Sequence, residues 1–354
     1  MDDQTLSELS VIIPNLHWRY SGVTATNRAV APVIGRHLPA AWLGSHAPHD
    51  VARLTFGDLL RLRMGRLRSR ARIWHARRND EMIAGLLLKV LGWPFKLVFT
   101  SAGQRRHTWI TRFLIEHMDA VIATSEASAS YLQRAATVVL HGVDADVYRS
   151  PTDRAMAFAE SGLPGKYGIG CFGRVREQKG TDLFVEAMCT LLPKYPDYCA
   201  VIIGSRTPDQ RSFMRGLEER VAAAGLSNRI RFFGELPIED VPRWYQRISI
   251  YAFTSRIEGF GLTLLEAMAA GVALVASRAG GAEQVVTDGE TGILVPPGDV
   301  RALIDALDSL MRDPERAAEM GQKARRRVIA DFSLEAEVAR IVDVYRQTLE
   351  ATHQ

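Results

Sequence analysis

The sequence predicts an α/β protein made of two Rossmann-like, doubly wound parallel-sheet domains that face one another across a cleft. Three observations carry this. At 354 residues the chain exceeds one ordinary core, and two domains of about 150–180 residues are the natural division. Short β-branched or apolar runs alternate with amphipathic stretches along the whole length, the pattern of parallel sheets with crossover helices. Between Gly142 and Pro164 that periodicity lapses into Gly, Asp, Ser and Pro, and the lapse reads as an interdomain linker.

In the first half, strands are expected near 10–14, 40–43, 71–75, 96–100, 120–124 and 137–140, with helices at 24–37, 80–91 and 125–134. In the second half, strands are expected near 167–172, 198–203, 230–233, 248–253, 273–276 and 292–295. Helices there fall at 181–195, 208–224, 238–246, 262–270 and 301–311, and polar helices close the chain, the last over 334–350. Each domain thus holds six strands. The N-terminal domain takes residues 1–155 and is joined by the C-terminal helix 334–354; the C-terminal domain takes 156–333. Ligands of such sheets bind beyond the carboxyl ends of the strands.

Apolar residues at 47% and charged residues at 24% fit a soluble globular protein and exclude disorder. Cys171, Cys189 and Cys199 are odd in number and sit in apolar contexts, so they read as reduced thiols rather than a disulfide or zinc framework. The first ten residues are acidic and polar, unlike a secretory signal. The most apolar stretch, 82–99, is broken by Lys89, Gly92, Pro94 and Lys96, too soon for a spanning helix. A cytoplasmic protein is expected.

The net charge of +4 hides an asymmetry: residues 1–160 hold 20 Lys and Arg against 14 Asp and Glu. Arg53, Arg61, Arg63, Arg66, Arg68, Arg70, Arg72, Arg77 and Arg78 face one acid, Asp58. Such a run reads either as an attractor of anionic lipid or nucleic acid or as a solvated helix face.

The strongest chemical signal is Glu258-Gly-Phe-Gly-Leu-Thr-Leu-Leu-Glu266 between a strand and a helix. Gly259 and Gly261 permit tight turns around Phe260. The amides of Gly261, Leu262 and Thr263 at the helix start form an anion site. Glu258 and Glu266 flank it, and a carboxylate can accept from two vicinal hydroxyls, one holding a sugar and the other a ribose. A second signal, Gly173-Arg-Val-Arg-Glu-Gln-Lys-Gly-Thr181, sits at another strand–helix junction. Its Arg174 and Lys179 can neutralise a departing diphosphate in place of a metal ion. A weaker signal is Ser21-Gly22-Val-Thr24 after the first strand, equally a plain turn.

Together these residues resemble family 4 of the retaining glycosyltransferases, of the GT-B fold. The resemblance covers nearly the whole chain and is densest from Gly170 to Pro297, including 276–285 and 288–295. It implies that Arg174 and Lys179 grip the donor pyrophosphate, that Glu258 contacts the transferred sugar, and that Glu266 contacts the ribose. It also implies that Gly22 lies beside the donor phosphate. Residues 73–82 and 98–108 are similar to the lipopolysaccharide core mannosyltransferases, which implies GDP-mannose as donor and a Kdo-bearing lipid A acceptor; on this reading the cluster from Arg53 to Arg78 docks the N-terminal domain peripherally on the inner membrane. No cofactor or metal is implied. Ser101 and Ala102 stand where many relatives have a histidine, with His107 following, and His141 replaces their asparagine. Ser101, His107, His141, Arg77 and Arg78 are therefore candidate sugar or acceptor contacts.

Asp144-Ala-Asp146 lies in the expected linker and reads as structural, and His46 with His49 lacks further ligands nearby. The Gly-rich strings of P-loop NTPases and dehydrogenases are absent, as is the hydrolase elbow. The alternatives that remain are a family 4 transferase using a UDP- or ADP-sugar, a nucleotide-sugar epimerase, and a sugar-nucleotide-binding module without catalysis.

Overall fold

The computed structural model describes residues 1–351 other than 20, 65, 66, 68 and 207. Among these it forms two compact units, Met1–His141 with Leu334–Gln354, and Gly142–Ser333.

The first unit is a seven-stranded parallel sheet of β1 (Val11–Asn15), β2 (Ala40–Gly44), β3 (Ala52–Leu54), β4 (Arg72–Ala76), β5 (Phe95–Ser101), β6 (Ala120–Ala123) and β7 (Thr137–Val138), in the order β3-β2-β1-β4-β5-β6-β7. The strand beyond the expected six is β3, whose three residues Ala-Arg-Leu are too short to show an alternation. On one face, helices Asp3–Glu8, Phe56–Arg61, Asn79–Val90 and Trp109–Glu116 bury Leu6, Leu59, Met82 and Leu114 against Trp74 and Leu97. On the other, Gly22–His37 and Leu334–Glu350 bury Ile34, Val338 and Tyr345 against Ile73 and Val98. Buried His75 on β4 fixes the returning helix: its ring hydrogen-bonds the Tyr345 hydroxyl at 2.5 Å and Thr100 Oγ1 at 2.7 Å. Burial holds that imidazole well below its ordinary pKa, so it stays neutral. The helix expected over 125–134 is only Glu126–Ala129. Beyond it Arg134 turns away to donate to the carbonyls of Ile115 and Met118 at 3.0 and 2.8 Å.

The arginine run is divided between solvent and interior, with Arg53, Arg63 and Arg70 exposed. Arg72 is fully buried and donates to the carbonyls of Leu67, Arg70 and Leu6. Arg61 pairs with Asp3 and Asp58, and Arg70 donates to Ser7 and Ser10. These cations pin the N-terminal helix near the starts of the central strands β1 and β4, while Arg66 and Arg68 lie outside the described residues.

The second unit is a six-stranded parallel sheet of β8 (Tyr167–Phe172), β9 (Tyr198–Ile203), β10 (Ile230–Gly234), β11 (Ile250–Phe253), β12 (Ala273–Ser277) and β13 (Ile293–Val295), in the order β10-β9-β8-β11-β12-β13. In both sheets the strand order runs outward one way and then reverses, the doubly wound topology. The units divide at His141 and Gly142, ahead of the boundary expected at 155 and 156. The stretch read as a linker is packed into the second unit. It carries helix Arg154–Ala159, with Phe158 buried. Arg154, whose pKa burial lowers to about 10, donates to the carbonyls of Ile248 and Ala270, both at 2.6 Å.

Candidate active site

In the second unit the order reverses between β8 and β11, and the loops that leave these two strands carry the predicted residues. After β8 the chain turns at Gly173, makes a single 3-10 turn over Glu177–Lys179, and enters helix Thr181–Leu191 through Gly180. Gly180 has φ +68°, and a Cβ there would lie 2.0 Å from the Thr254 carbonyl oxygen. Only glycine lets the β8 loop close onto the β11 loop. The two loops are also stitched together by hydrogen bonds. Thr254 Oγ1 donates to the Lys179 carbonyl at 2.9 Å, and Arg256 grips both oxygens of Asp182 at 2.8 and 2.6 Å.

This closure brings Lys179 and Glu258, 79 residues apart in sequence, into an ion pair. The Glu258 carboxylate also accepts from Ser255 Oγ at 3.1 Å and the Gly259 amide at 3.0 Å. Arg174 is exposed and makes no ion pair among the described residues. A small pocket lined by Phe172, Gly173, Arg174, Lys179, Ser255 and Thr263 opens at the same place.

The helix Leu262–Ala269 starts at left-handed Gly261 (φ +98°) without a side-chain cap. Its first amides are thus available to an anion. Phe260 is buried, and its carbonyl accepts from the Gly281 amide at 2.8 Å. A Cβ on Gly281 would meet the Phe260 ring at 2.7 Å, which is why a glycine pair at 280 and 281 backs this loop. Glu266 lies one turn further in. Tyr245 donates to one of its oxygens at 2.7 Å and Tyr148 to the other at 3.1 Å. Burial raises its pKa, and the two phenols counter part of that rise. Neither tyrosine was expected in the site: Tyr148 sits in the stretch read as linker, and Tyr245 in a helix with no motif. Ser255, Arg256 and Asp182 were missed too, since only the folded loops show their proximity.

In the first unit the equivalent reversal lies between β1 and β4. Gly22 is the first residue of helix Gly22–His37, and its Cβ direction is open. Arg78 is occupied internally: it donates to Asn15 at 2.9 Å, Glu81 at 3.2 Å, Ser21 at 2.8 Å and Thr24 at 2.9 Å, holding the β1 loop. Arg77 is half-buried with its Nε unpartnered, and burial lowers its pKa. Ser101 Oγ and His107 Nε2 are likewise buried without partners among the described residues, and burial and Arg105 depress the His107 imidazole. His141 Nδ1 bonds Glu337 at 2.8 Å. Asp144 accepts from the amides of Asp146 and Val147 at 2.9 and 3.1 Å, an Asx-type turn.

Residues 153–327 match the family described as glycosyl transferases group 1. The chain is 46% identical over 346 residues, 97% of its length and 98% of the relative's, to the lipopolysaccharide core biosynthesis mannosyltransferase LpcC of Rhizobium leguminosarum bv. viciae. The chain belongs to the group 1 glycosyl transferases. Among solved structures, this glycosyltransferase resembles Anabaena Alr3699/HepE, solved with UDP and glucose, with a TM-score of 0.81 at 20% identity, over 96% of this chain and 100% of that one. That likeness bears on the GT-B fold alone. It also resembles the C-terminal domain of a group 1 glycosyl transferase family protein (LpcC) from Francisella tularensis, at 39% identity and a TM-score of 0.53, over 54% of this chain and 99% of that one.

Proposed function

We propose that this glycosyltransferase moves mannose from GDP-mannose onto a lipopolysaccharide core acceptor of the Kdo–lipid A type, with retention at the anomeric carbon and without a metal ion, and that it belongs to family 4. The observation that carries the reading is the convergence of Arg174, Lys179 and Glu258 on the reversal point of the second sheet. Near-full-length similarity to a lipopolysaccharide core mannosyltransferase supports the choice of sugar and acceptor.

In this mechanism Arg174 and Lys179 bind the pyrophosphate and stabilise the charge that grows on it as the glycosidic bond breaks. The amides at Gly261, Leu262 and Thr263 add a fixed dipole. Glu258 accepts from hydroxyls of the mannose, with Lys179 exchanging its pairing from carboxylate to phosphate. Glu266 accepts from the ribose, oriented by Tyr148 and Tyr245. The acceptor hydroxyl approaches the face the diphosphate leaves, and a donor phosphate oxygen takes its proton. Holding both substrates in register supplies much of the rate. Gly22 beside the donor phosphate, with Arg77, Ser101, His107 and His141, serves the sugar and acceptor side. The protein works in the cytoplasm, at the face of the inner membrane where the lipid-borne acceptor lies.

Purified protein is assayed with GDP-mannose, UDP-glucose and an ADP-sugar, with and without Kdo–lipid A, in chelator. Mannosylated lipid formed from GDP-mannose alone is the expected result. Release of a free epimer, tight binding without turnover, or activity only with divalent ions would each overturn part of the reading.

A further inference from the structure

Ten of the seventeen exposed large apolar side chains among the described residues stand on or at the ends of three helices of the first unit. They are Phe56, Leu60 and Met64; Ile83, Leu87, Val90 and Leu91; and Trp109, Ile110 and Phe113. Each set repeats at helical spacing, so each helix Phe56–Arg61, Asn79–Val90 and Trp109–Glu116 has a second apolar stripe besides the one it buries. All three bury their inner stripe in the same cluster on one face of the sheet. Their outer stripes therefore point away on the same side. The helices are also tied to one another. Trp93, just past the second helix, donates to the Leu59 carbonyl at 2.8 Å, and Asn79 donates to Thr111 Oγ1 at 2.8 Å.

The exposure is large: Trp109 is 71% open, Phe56 68% and Val90 84%. A patch of this kind on a folded surface marks an interaction face. Its charge favours an anionic partner. Arg63, Arg105, Arg106 and Arg112, on or beside these helices, are exposed and make no ion pair among the described residues. Exposed acids on the same side include Asp2, Asp3, Asp80, Glu116 and Asp119, of which Asp3 pairs with Arg61 and Asp119 with Lys89. Aromatic and aliphatic side chains ringed by arginines match a lipid interface, where the former enter the acyl boundary and the latter meet phosphate head groups.

We propose that this three-helix face seats the first unit on an anionic lipid bilayer. It deepens the proposed function and rests on its lipid-borne acceptor, and it moves the contact from the arginine run as a whole to Trp109, Phe113, Val90 and their neighbours, keeping only Arg63 of that run.

The test is co-sedimentation of the full chain with phosphatidylglycerol-containing vesicles and with phosphatidylcholine vesicles. Wild type should favour the anionic vesicles, with binding weakened by salt. The double substitution Trp109→Ser with Phe113→Ser should weaken binding about tenfold while melting and donor hydrolysis stay unchanged. Arg105→Gln with Arg106→Gln and Arg112→Gln should weaken it by a similar factor in low salt only. The proposal is overturned if wild type does not bind, if either variant binds like wild type, or if sedimentation shows a dimer that the Trp109 and Phe113 changes dissociate. A protein that binds vesicles but releases no GDP from GDP-mannose would instead sink the donor reading and leave this face standing.

Discussion

Tyr245 donates its hydroxyl to Glu266 at 2.7 Å. The carboxylate proposed to hold the ribose is thus fixed in orientation before any nucleotide arrives, with Tyr148 on its other oxygen. Burial raises the pKa of Glu266 and these phenols hold it down. Tyr245→Phe should therefore raise the KM for donor about tenfold, the effect of one lost hydrogen bond to a carboxylate, with kcat little changed. The acid limb of the KM profile should also move to higher pH, because the carboxyl then protonates more readily. An unchanged KM and profile would show that Glu266 does not meet the donor.

Lys179→Ala should lower kcat by about 10²–10³, the loss typical of one group that stabilises developing charge. The residual activity should be insensitive to chelator. Near-normal turnover in this variant would remove Lys179 from the mechanism.

Gly180 and Gly225 share φ +68°, but the space around them differs. A Cβ at Gly225 meets nothing within 4 Å, whereas one at Gly180 strikes the Thr254 carbonyl at 2.0 Å. Gly225→Ala should cost about 1 kcal/mol, the backbone strain alone. Gly180→Ala should cost about 3 kcal/mol or more and separate the two site loops. Equal melting temperatures for the two variants would contradict the close approach.

Burial pushes the Glu81 carboxyl from an ordinary 4.5 up to about 7, against the pull of the Arg77 amide and Arg78. The folded state then holds its proton at a pH where the unfolded chain has lost it. The stability contributed is full below about 4.5 and is lost as pH rises through about 7. The decline should be no more than about 3 kcal/mol. Glu81→Gln should flatten it, measured as the difference between urea midpoints in acidic and alkaline buffer. A wild-type decline that persists in the variant would rule Glu81 out as its source.

Much of the fold was legible because parallel strands buried on both faces read as continuous apolar runs, as in Tyr167–Phe172 and Tyr198–Ile203, both found at their expected bounds. The strand–helix junctions at Gly173 and Gly261 were legible because glycine marks backbone that other residues resist. What escaped notice depended on partners far along the chain. The segment around Tyr148 and Arg154 looks irregular in sequence because its order comes from Glu266 and the Ala270 carbonyl, more than a hundred residues away. The arginine run was only partly legible for the same reason. Charge density along a chain does not reveal that Arg72 points inward at three carbonyls.

The Val143 amide donates to the Phe332 carbonyl at 3.0 Å, and Val143 bridges Ser333. The start and finish of the second unit are therefore neighbours, and Gly142–Ser333 is one continuous insertion in the chain of the first. Such a piece can be excised as one fragment with adjoining ends, and the remainder resealed by a short splice from His141 to Leu334.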